Sequence, residues 1–208
     1  LDEGYLTDTR TAIAGAIATK YLSNQNANSV GIIGAGIQAR LQLQAIMLVR
    51  KINKIIVWTR DETKANQFIE SFKSLDLDLH IASSCKELAS LSEIIVTTTP
   101  SKKPLLEFDW IKKGTHITAM GSDAEQKNEL DPHMLKQCDQ YVPDKQLQTS
   151  ALGELHHAIK QNIIPSSQKF NELGDIISDP SIGRKNKEDI TICDLTGTGV
   201  QDTAIARF

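Results

Sequence analysis

"VGIIGAGIQARLQLQAI" (residues 30–46) joins an apolar, β-branched run to a glycine-rich turn and then to an amphipathic stretch. Gly34, Gly36 and Ala39 form a GxGxxA pattern at the junction. A strand that feeds such a turn and opens a helix is the context of a dinucleotide-binding fingerprint. Gly34 permits the tight turn, Gly36 lets backbone approach a pyrophosphate, and Ala39 allows close helix–strand packing. The helix N-terminus then offers free N–H groups and a positive dipole end to the anion. The same glycines can also close a strand–helix turn that binds nothing, so the reading depends on its surroundings.

Working outward, apolar runs alternate with helical segments. The stretch 37–51 reads as a helix, "KIIVWT" (54–59) precedes a helix over 61–74, and "LHIAS" (79–83) precedes one over 86–91. "EIIVTTT" (93–99) stops at Pro100, "THITAM" (115–120) leads to a turn and a helix from about 131, and "QYVPD" (140–144) leads into helical sequence. "DITICDL" (189–195), then "TGTG", then a helix from about 200 close the chain. The strands are continuous apolar runs, as expected when both faces are covered. Strand–helix alternation of this kind predicts an α/β fold, a Rossmann-type doubly wound parallel sheet. Residues 7–22 read as one helix lined by alanine and glycine, so something must approach its backbone closely. "DPSIGRKNKED" (179–189) is the best loop or linker candidate. The chain opens almost at a helix start and stops inside one, so segments of a further domain are expected to be absent from it.

Composition narrows the function classes. A net charge of −3 forces no basic face, so nucleic acid is not an expected partner. No apolar run approaches the roughly 20 residues needed to span a bilayer. Cys85, Cys138 and Cys193 are odd in number and far apart, which argues against a disulfide framework and fits buried thiols in a reducing cytoplasm. The five histidines fall in no metal-ligand spacing, and no metal is expected. His156 and His157 sit side by side on a helix and point about 100° apart, which suits structural or surface roles. Trp110 reads as packing.

The second strand bears on the cofactor. NAD-preferring sites carry an acid at this strand's tip, about 20 residues after the glycines, to hold the ribose 2′-hydroxyl. Here the tip is Thr59-Arg60, followed by Asp61. Arg60, with Lys64, suits a 2′-phosphate and favours NADP. Asp61 keeps NAD as the alternative.

Taken together, "GAGIQA" (34–39), "TTTP" (97–100), "GSDAEQKNELDP" (121–132) and "DLTGTGVQD" (194–202) resemble the ornithine cyclodeaminase/mu-crystallin family over essentially the whole chain. "LGELHHAI" and "ICDLTGTGVQDTAIA" are most similar to its ectoine-utilisation cyclodeaminase branch. The resemblance implies a Rossmann domain over 25–195, a linking helix over 1–24 that belongs to a substrate and dimerisation domain, and a C-terminal return helix over 196–208. It also implies a cytoplasmic homodimer and a small amino or imino acid substrate, and the apolar helix 7–22 points to dimerisation too. The family's N-terminal part, which supplies a lysine and other substrate contacts, is not in this sequence.

By match to the motifs, Gly34, Ala35, Gly36, Ile37 and Gln38 fall on the pyrophosphate loop, and Thr59 and Arg60 on the adenosine ribose site. Thr97, Thr98 and Pro100 follow the fourth strand, where the chain passes the cofactor. Met120 and Gly121 lie at the nicotinamide end, with Asp123. Gly197, Gly199 and Val200 match the loop that closes over the nicotinamide. Arg10 matches the arginine that pairs with the substrate carboxylate.

The implied chemistry moves hydride between an amino acid α-carbon and nicotinamide. Oxidation makes an imine, a side-chain amine attacks it, ammonia leaves and hydride returns. A ketimine or imino-acid reductase, of the Δ1-pyrroline-2-carboxylate or iminosuccinate type, runs only the reductive half. Arg10 supplies a bidentate cation for a carboxylate, the alternative being an exposed helix arginine. Asp123 stands after a strand end and suits proton transfer, the alternative being a turn cap. Lys127 and Glu129 read as solvated helix-entry charges, and Asp131 before Pro132 as an N-cap. A crystallin-like protein that binds nicotinamide without catalysis is a further alternative, and the presence of both Arg10 and Asp123 counts against it. "GSDAEQKNEL" departs from the proline-rich turn of ornithine-acting members, which counts against ornithine as the substrate.

Overall fold

A computed structural model describes residues 3–205 and 207 of the chain. The expectations above that touch residues 1, 2, 206 and 208 lie outside the described residues. Helix α1 (Glu3–Leu22) precedes a run of strand–helix units: β1 (Ser29–Ile33), α2 (Ile37–Met47), β2 (Lys54–Trp58), α3 (Glu62–Glu70), β3 (Asp78–Ile81) and α4 (Cys85–Leu91). Strand β4 (Ile94–Thr97) connects through a long loop to β5 (His116–Ala119). Then follow α5 (Met134–Gln137), β6 (Gln140–Pro143), α6 (Gln146–Thr149), α7 (Glu154–Lys160), α8 (Leu173–Ser178), β7 (Thr191–Asp194) and α9 (Gly199–Ile205).

The seven strands make one sheet in the order β3-β2-β1-β4-β5-β7-β6, with every pair parallel. Ile32 of β1 sits between Val57 of β2 and Val96 of β4. Strand order therefore runs outward in two directions from the β1–β4 boundary, and ligands of such sheets bind at the carboxyl ends beside that switch point. Every residue of β1, β4, β5 and β7 is buried. That is why β1 and β4 read as near-continuous apolar runs, while β5 and β7 bury His116, Thr118, Thr191 and Asp194 as well.

The last strand, β7, inserts between β5 and β6. It brings Asp194, and the loop after it, beside Ala119 at the end of β5. Before β7, the 179–189 loop is tied down rather than free. Arg184 donates from Nε to the Leu22 carbonyl at the end of α1 and from Nη2 to Thr191 Oγ1.

Helix α1 packs along α2, outside the strand–helix alternation. Ala12, Ala14, Ala16 and Ala18 are buried. A Cβ on Gly15 would come within 1.9 Å of the buried Gln42 amide oxygen, so α2 is the close neighbour that its small residues admit. Much of the helix is thus covered within the chain, while Tyr5 and Ile13 on it stay exposed.

Several boundaries shift for local reasons. The helix expected to 51 ends at Met47, with Leu48 as its C-cap. Asp61 caps α3 by accepting from the Thr63 and Lys64 amides. Asp131 accepts from the His133 amide two residues on, closing a turn, so α5 starts only at Met134 with His133 as its N-cap.

Candidate functional site

A groove of about 530 Å³ opens at the carboxyl ends of β1, β2 and β4. Gly34 has φ +113°, and a Cβ there would meet the Thr98 hydroxyl at 2.7 Å. Gly36 is the N-cap of α2; no side chain caps it, and an added Cβ would meet nothing within 4 Å. The first N–H groups of α2 thus face open space across a glycine, which fits an anionic pyrophosphate. Ala35, Thr98 and Pro100 line the same groove. Thr97 does not: it is fully buried, and its hydroxyl donates to Glu129 at 2.6 Å.

At the β2 end, Thr59, Arg60 and Lys64 line the groove. Arg60 is exposed and has no hydrogen-bond or ion-pair partner among the described residues. Asp61 lines it too, but its Oδ1 is engaged at the α3 cap.

A second, smaller pocket of about 210 Å³ lies on the other side of the glycine loop, between α1, the end of β5 and the loop after β7. Arg10, Gln38, Met120, Asp123 and Gly197 all line it. Gln38 follows the pyrophosphate loop in sequence, yet its side chain turns toward α1, donating to the Asp8 carboxylate at 2.7 Å. Met120 is held from behind by the Gln42 amide, 2.7 Å from its sulfur.

Arg10 leaves only 16% of its side chain exposed. Its Nε donates to Asp202 at 2.8 Å and its Nη1 to Gln201 at 3.1 Å. Gly197 has φ +78°, and a Cβ there would lie 2.6 Å from Arg10 Nη1. The C-terminal loop therefore closes directly on the arginine. Asp144 fixes that loop by accepting from the Thr196 and Gly197 amides. Gly199 begins α9, and Val200 is exposed, facing an apolar depression between α1, α8 and α9 that also reaches Arg10. Asp123 keeps about half its side chain in solvent and pairs with Lys127.

Two acids that matter here had no functional reading in the sequence. Glu129, read there as a solvated charge, is 0% exposed. Its carboxylate accepts from Thr97 Oγ1, Thr99 N, Thr99 Oγ1 and Gly121 N. Lys127 is likewise no free charge, since it engages Asp123. Glu154, also 0% exposed, accepts from Ser122, Asn128 and the Glu129 and Leu130 amides. Burial and the neighbouring Glu154 push Glu129 up to about 7, and burial raises Glu154 as well. The one local sign of burial is that each glutamate precedes a fully buried leucine, Leu130 and Leu155. Asp202 and Gln201, the partners of Arg10, belong to the "DLTGTGVQD" stretch (194–202), but nothing local in it points to Arg10.

Of the histidine pair, His157 Nε2 lies 2.7 Å from the Lys127 carbonyl, and the two rings meet edge-on. Trp110 is half-buried against the core. Cys85 and Cys193 are buried, Cys138 is half-buried, and all three are free. No helix among the described residues is long and apolar enough to cross a membrane.

Comparison with known proteins gives this geometry a context. Residues 1–208 match the sequence profile described as the Ornithine cyclodeaminase/mu-crystallin family. A protein named an uncharacterized cyclodeaminase from Sinorhizobium fredii is 52% identical over 208 residues, covering 99% of this chain and 62% of its own length. A solved structure described as an archaeal alanine dehydrogenase dimer with bound NAD superposes with a TM-score of 0.92 at 35% identity, covering 98% of this chain and 62% of that one. Thermococcus litoralis Δ1-pyrroline-2-carboxylate reductase, solved with NADH and L-proline, superposes with a TM-score of 0.92 at 30% identity, covering 98% and 63%. The chain thus spans less than two thirds of the length of each.

Proposed function

The chain belongs to the ornithine cyclodeaminase/mu-crystallin family, and from that premise we propose that it is the dinucleotide-binding part of an enzyme transferring hydride at the α-carbon of a small amino or imino acid, with amine loss through an imine as in cyclodeamination. One observation carries the reading: Arg10 and Asp123, far apart in sequence, line a single pocket that Gln38 links to the glycine loop. A nicotinamide cofactor supplies the hydride acceptor and donor. Gly34, Gly36 and the α2 N-terminus would hold its pyrophosphate, with Met120 and Gly121 at its nicotinamide end. Arg10 orients the substrate carboxylate, and Asp123 exchanges protons with the substrate nitrogen or α-carbon region. Gly199 and Val200 would take part through the closing loop that Gly197 begins.

The reductive half alone is the second reading. Arg10 and Asp123 serve it equally, and the relative solved with NADH and L-proline is named for it. Absorbance at 340 nm separates these readings from a non-catalytic binder. Wild-type full-length protein mixed with NADH or NADPH and a cyclic imino acid should consume reduced cofactor. A shift of cofactor fluorescence without turnover would leave only binding.

The cofactor preference we propose is NADP, on the strength of the exposed, unpartnered Arg60; NAD, which the two solved relatives hold as NAD or NADH, is the alternative. Arg60→Ala should then weaken NADPH by about 10- to 100-fold, the worth of one charge-assisted contact, and leave NADH nearly unchanged. Equal losses for both would rule the preference out. We further propose that the full-length protein is a cytoplasmic homodimer. Light scattering should give twice the monomer mass, and a monomer would refute it.

A further inference from the structure

We propose that Glu129 and Glu154 are positioning residues, two buried carboxylates that set the Met120–Asp123 turn and so aim the Asp123 side chain at the pocket. The kinetic part of this inference rests on the hydride-transfer reading above.

Gly121, Ser122 and Asp123 are consecutive, and each has its own anchor or outlet. The Gly121 amide donates to Glu129 Oε2 at 2.7 Å. The Ser122 hydroxyl, 1% exposed, donates to Glu154 Oε1. Asp123 then faces the pocket that Arg10 lines. Glu129 also binds Thr97 and Thr99, so one carboxylate joins the end of β4 to the end of β5. Glu154 holds the returning strand of the same loop through the Glu129 and Leu130 amides. Its neighbour on α7, His157, holds the Lys127 carbonyl.

Among the described residues neither carboxylate has a cationic partner; Lys127, the basic residue of the loop, goes to Asp123 instead. Two adjacent buried acids without a cation are costly for folding alone. Their hydrogen bonds all converge on the loops that carry the pocket residues. Gly121 fits the same account: a Cβ there would lie 2.2 Å from the Thr99 carbonyl and 2.4 Å from Glu129 Oε2, so no other residue can sit over this carboxylate.

Glutamine is the discriminating substitution. In Glu129→Gln, one of the two oxygen positions becomes an NH₂. Each position accepts from a backbone amide, Thr99 in one case and Gly121 in the other. Either orientation therefore sets donor against donor and lets one pocket loop drift. The same holds for Glu154→Gln, whose oxygens serve the Glu129 and Leu130 amides. Ser122→Ala removes one link without burying a new donor.

The test uses the full-length protein carrying Ser122→Ala, Glu129→Gln or Glu154→Gln. Steady-state kinetics with a cyclic imino acid, titration of NADH and NADPH by fluorescence, and hydrogen exchange of the 120–130 segment are measured on each. Misplacing a catalytic group by about 1 Å costs on the order of 100-fold. The glutamine variants should accordingly lose roughly 10- to 100-fold in kcat, with cofactor affinity and substrate KM held. The amides that each carboxylate holds should exchange faster: Gly121 in Glu129→Gln, and Glu129 and Leu130 in Glu154→Gln. Normal kcat in the glutamine variants overturns the inference, as does a loss that appears only with lost cofactor binding. Should a glutamine variant fail to fold, Ser122→Ala decides: faster exchange over 120–130 with lowered kcat supports the proposal, and unchanged values refute it. Should the wild type turn over neither dinucleotide, the functional reading fails, and the exchange rates alone still support or overturn the anchoring.

Discussion

Asparagine at position 123 should lower kcat by about 10²- to 10⁴-fold, the usual worth of a general acid–base group. Asp123→Asn keeps the size and much of the hydrogen bonding of the side chain but removes its capacity to take a proton. The cost should fall mainly on turnover and little on dinucleotide affinity, because the pyrophosphate is held in the glycine-loop groove, which shares no lining residue with the Asp123 pocket. The substitution also frees Lys127, whose ammonium pairs with Asp123 in the structure. Lys127→Met separates the two effects: if Asp123 is the acting group, that variant keeps substantial turnover. Steady-state kinetics with a cofactor titration reads both. Near-normal turnover in Asp123→Asn, together with a lower melting temperature, would make Asp123 a loop-stabilising group and remove it from the mechanism.

Loss of the Arg10 guanidinium should act on binding instead. Arg10→Met keeps the length of the side chain along α1 and deletes the charge. Removing one member of a buried, hydrogen-bonded charge pair costs about 2–5 kcal/mol, or roughly 30- to several thousand-fold in affinity. We expect that loss in substrate KM, with kcat at saturating substrate closer to wild type than in Asp123→Asn. Arg10 already engages Asp202 and Gln201 through Nε and Nη1, which leaves Nη2 without a partner among the described residues. A carboxylate therefore joins or displaces existing partners, and Asp202→Asn should lower KM by weakening the competitor. Should Arg10→Met leave KM unchanged and only lower the melting temperature, its role would be to clamp α9 to α1.

These expectations trace to different levels of information. The dinucleotide groove was legible because its requirements are local. A positive φ at Gly34 and open space beside Gly36 are properties of a short run of chain, and at Gly34 the left-handed backbone and the nearby Thr98 hydroxyl leave no place for a side chain. The parallel sheet was legible for a similar reason: strands covered on both faces favour continuous apolar runs, as the cores of β1 and β4 show. The small residues of α1 announced a close neighbour, although not which one; Gln42 of α2 occupies that place.

Charge was where local reading gave out. Glu129 and Lys127 share one short polar stretch, and nothing in it separates a solvated charge from a buried one. Whether a carboxylate is buried depends on donors that come from elsewhere in the chain. For Glu129 these are Thr97 and Thr99 at the end of β4; for Glu154 they are the amides of a loop some 25 positions earlier. Likewise Gln38 belongs to the glycine loop by sequence, but its rotamer is set by Asp8 on α1.

By itself, then, the sequence determined the α/β class, the doubly wound sheet and the glycine turn, because each follows from periodicity or from a steric demand within a few residues; Arg10 and Asp123 became candidates through the family resemblance. Only the tertiary structure decided that β7 slots between β5 and β6, so that the TGTG loop closes on Arg10. It alone decided that two buried, hydrogen-bonded carboxylates lie beneath the Asp123 turn. Strand order and the solvation of a charge are set by which distant segments fill the remaining space, and that is a property of the packed chain and not of any window along it.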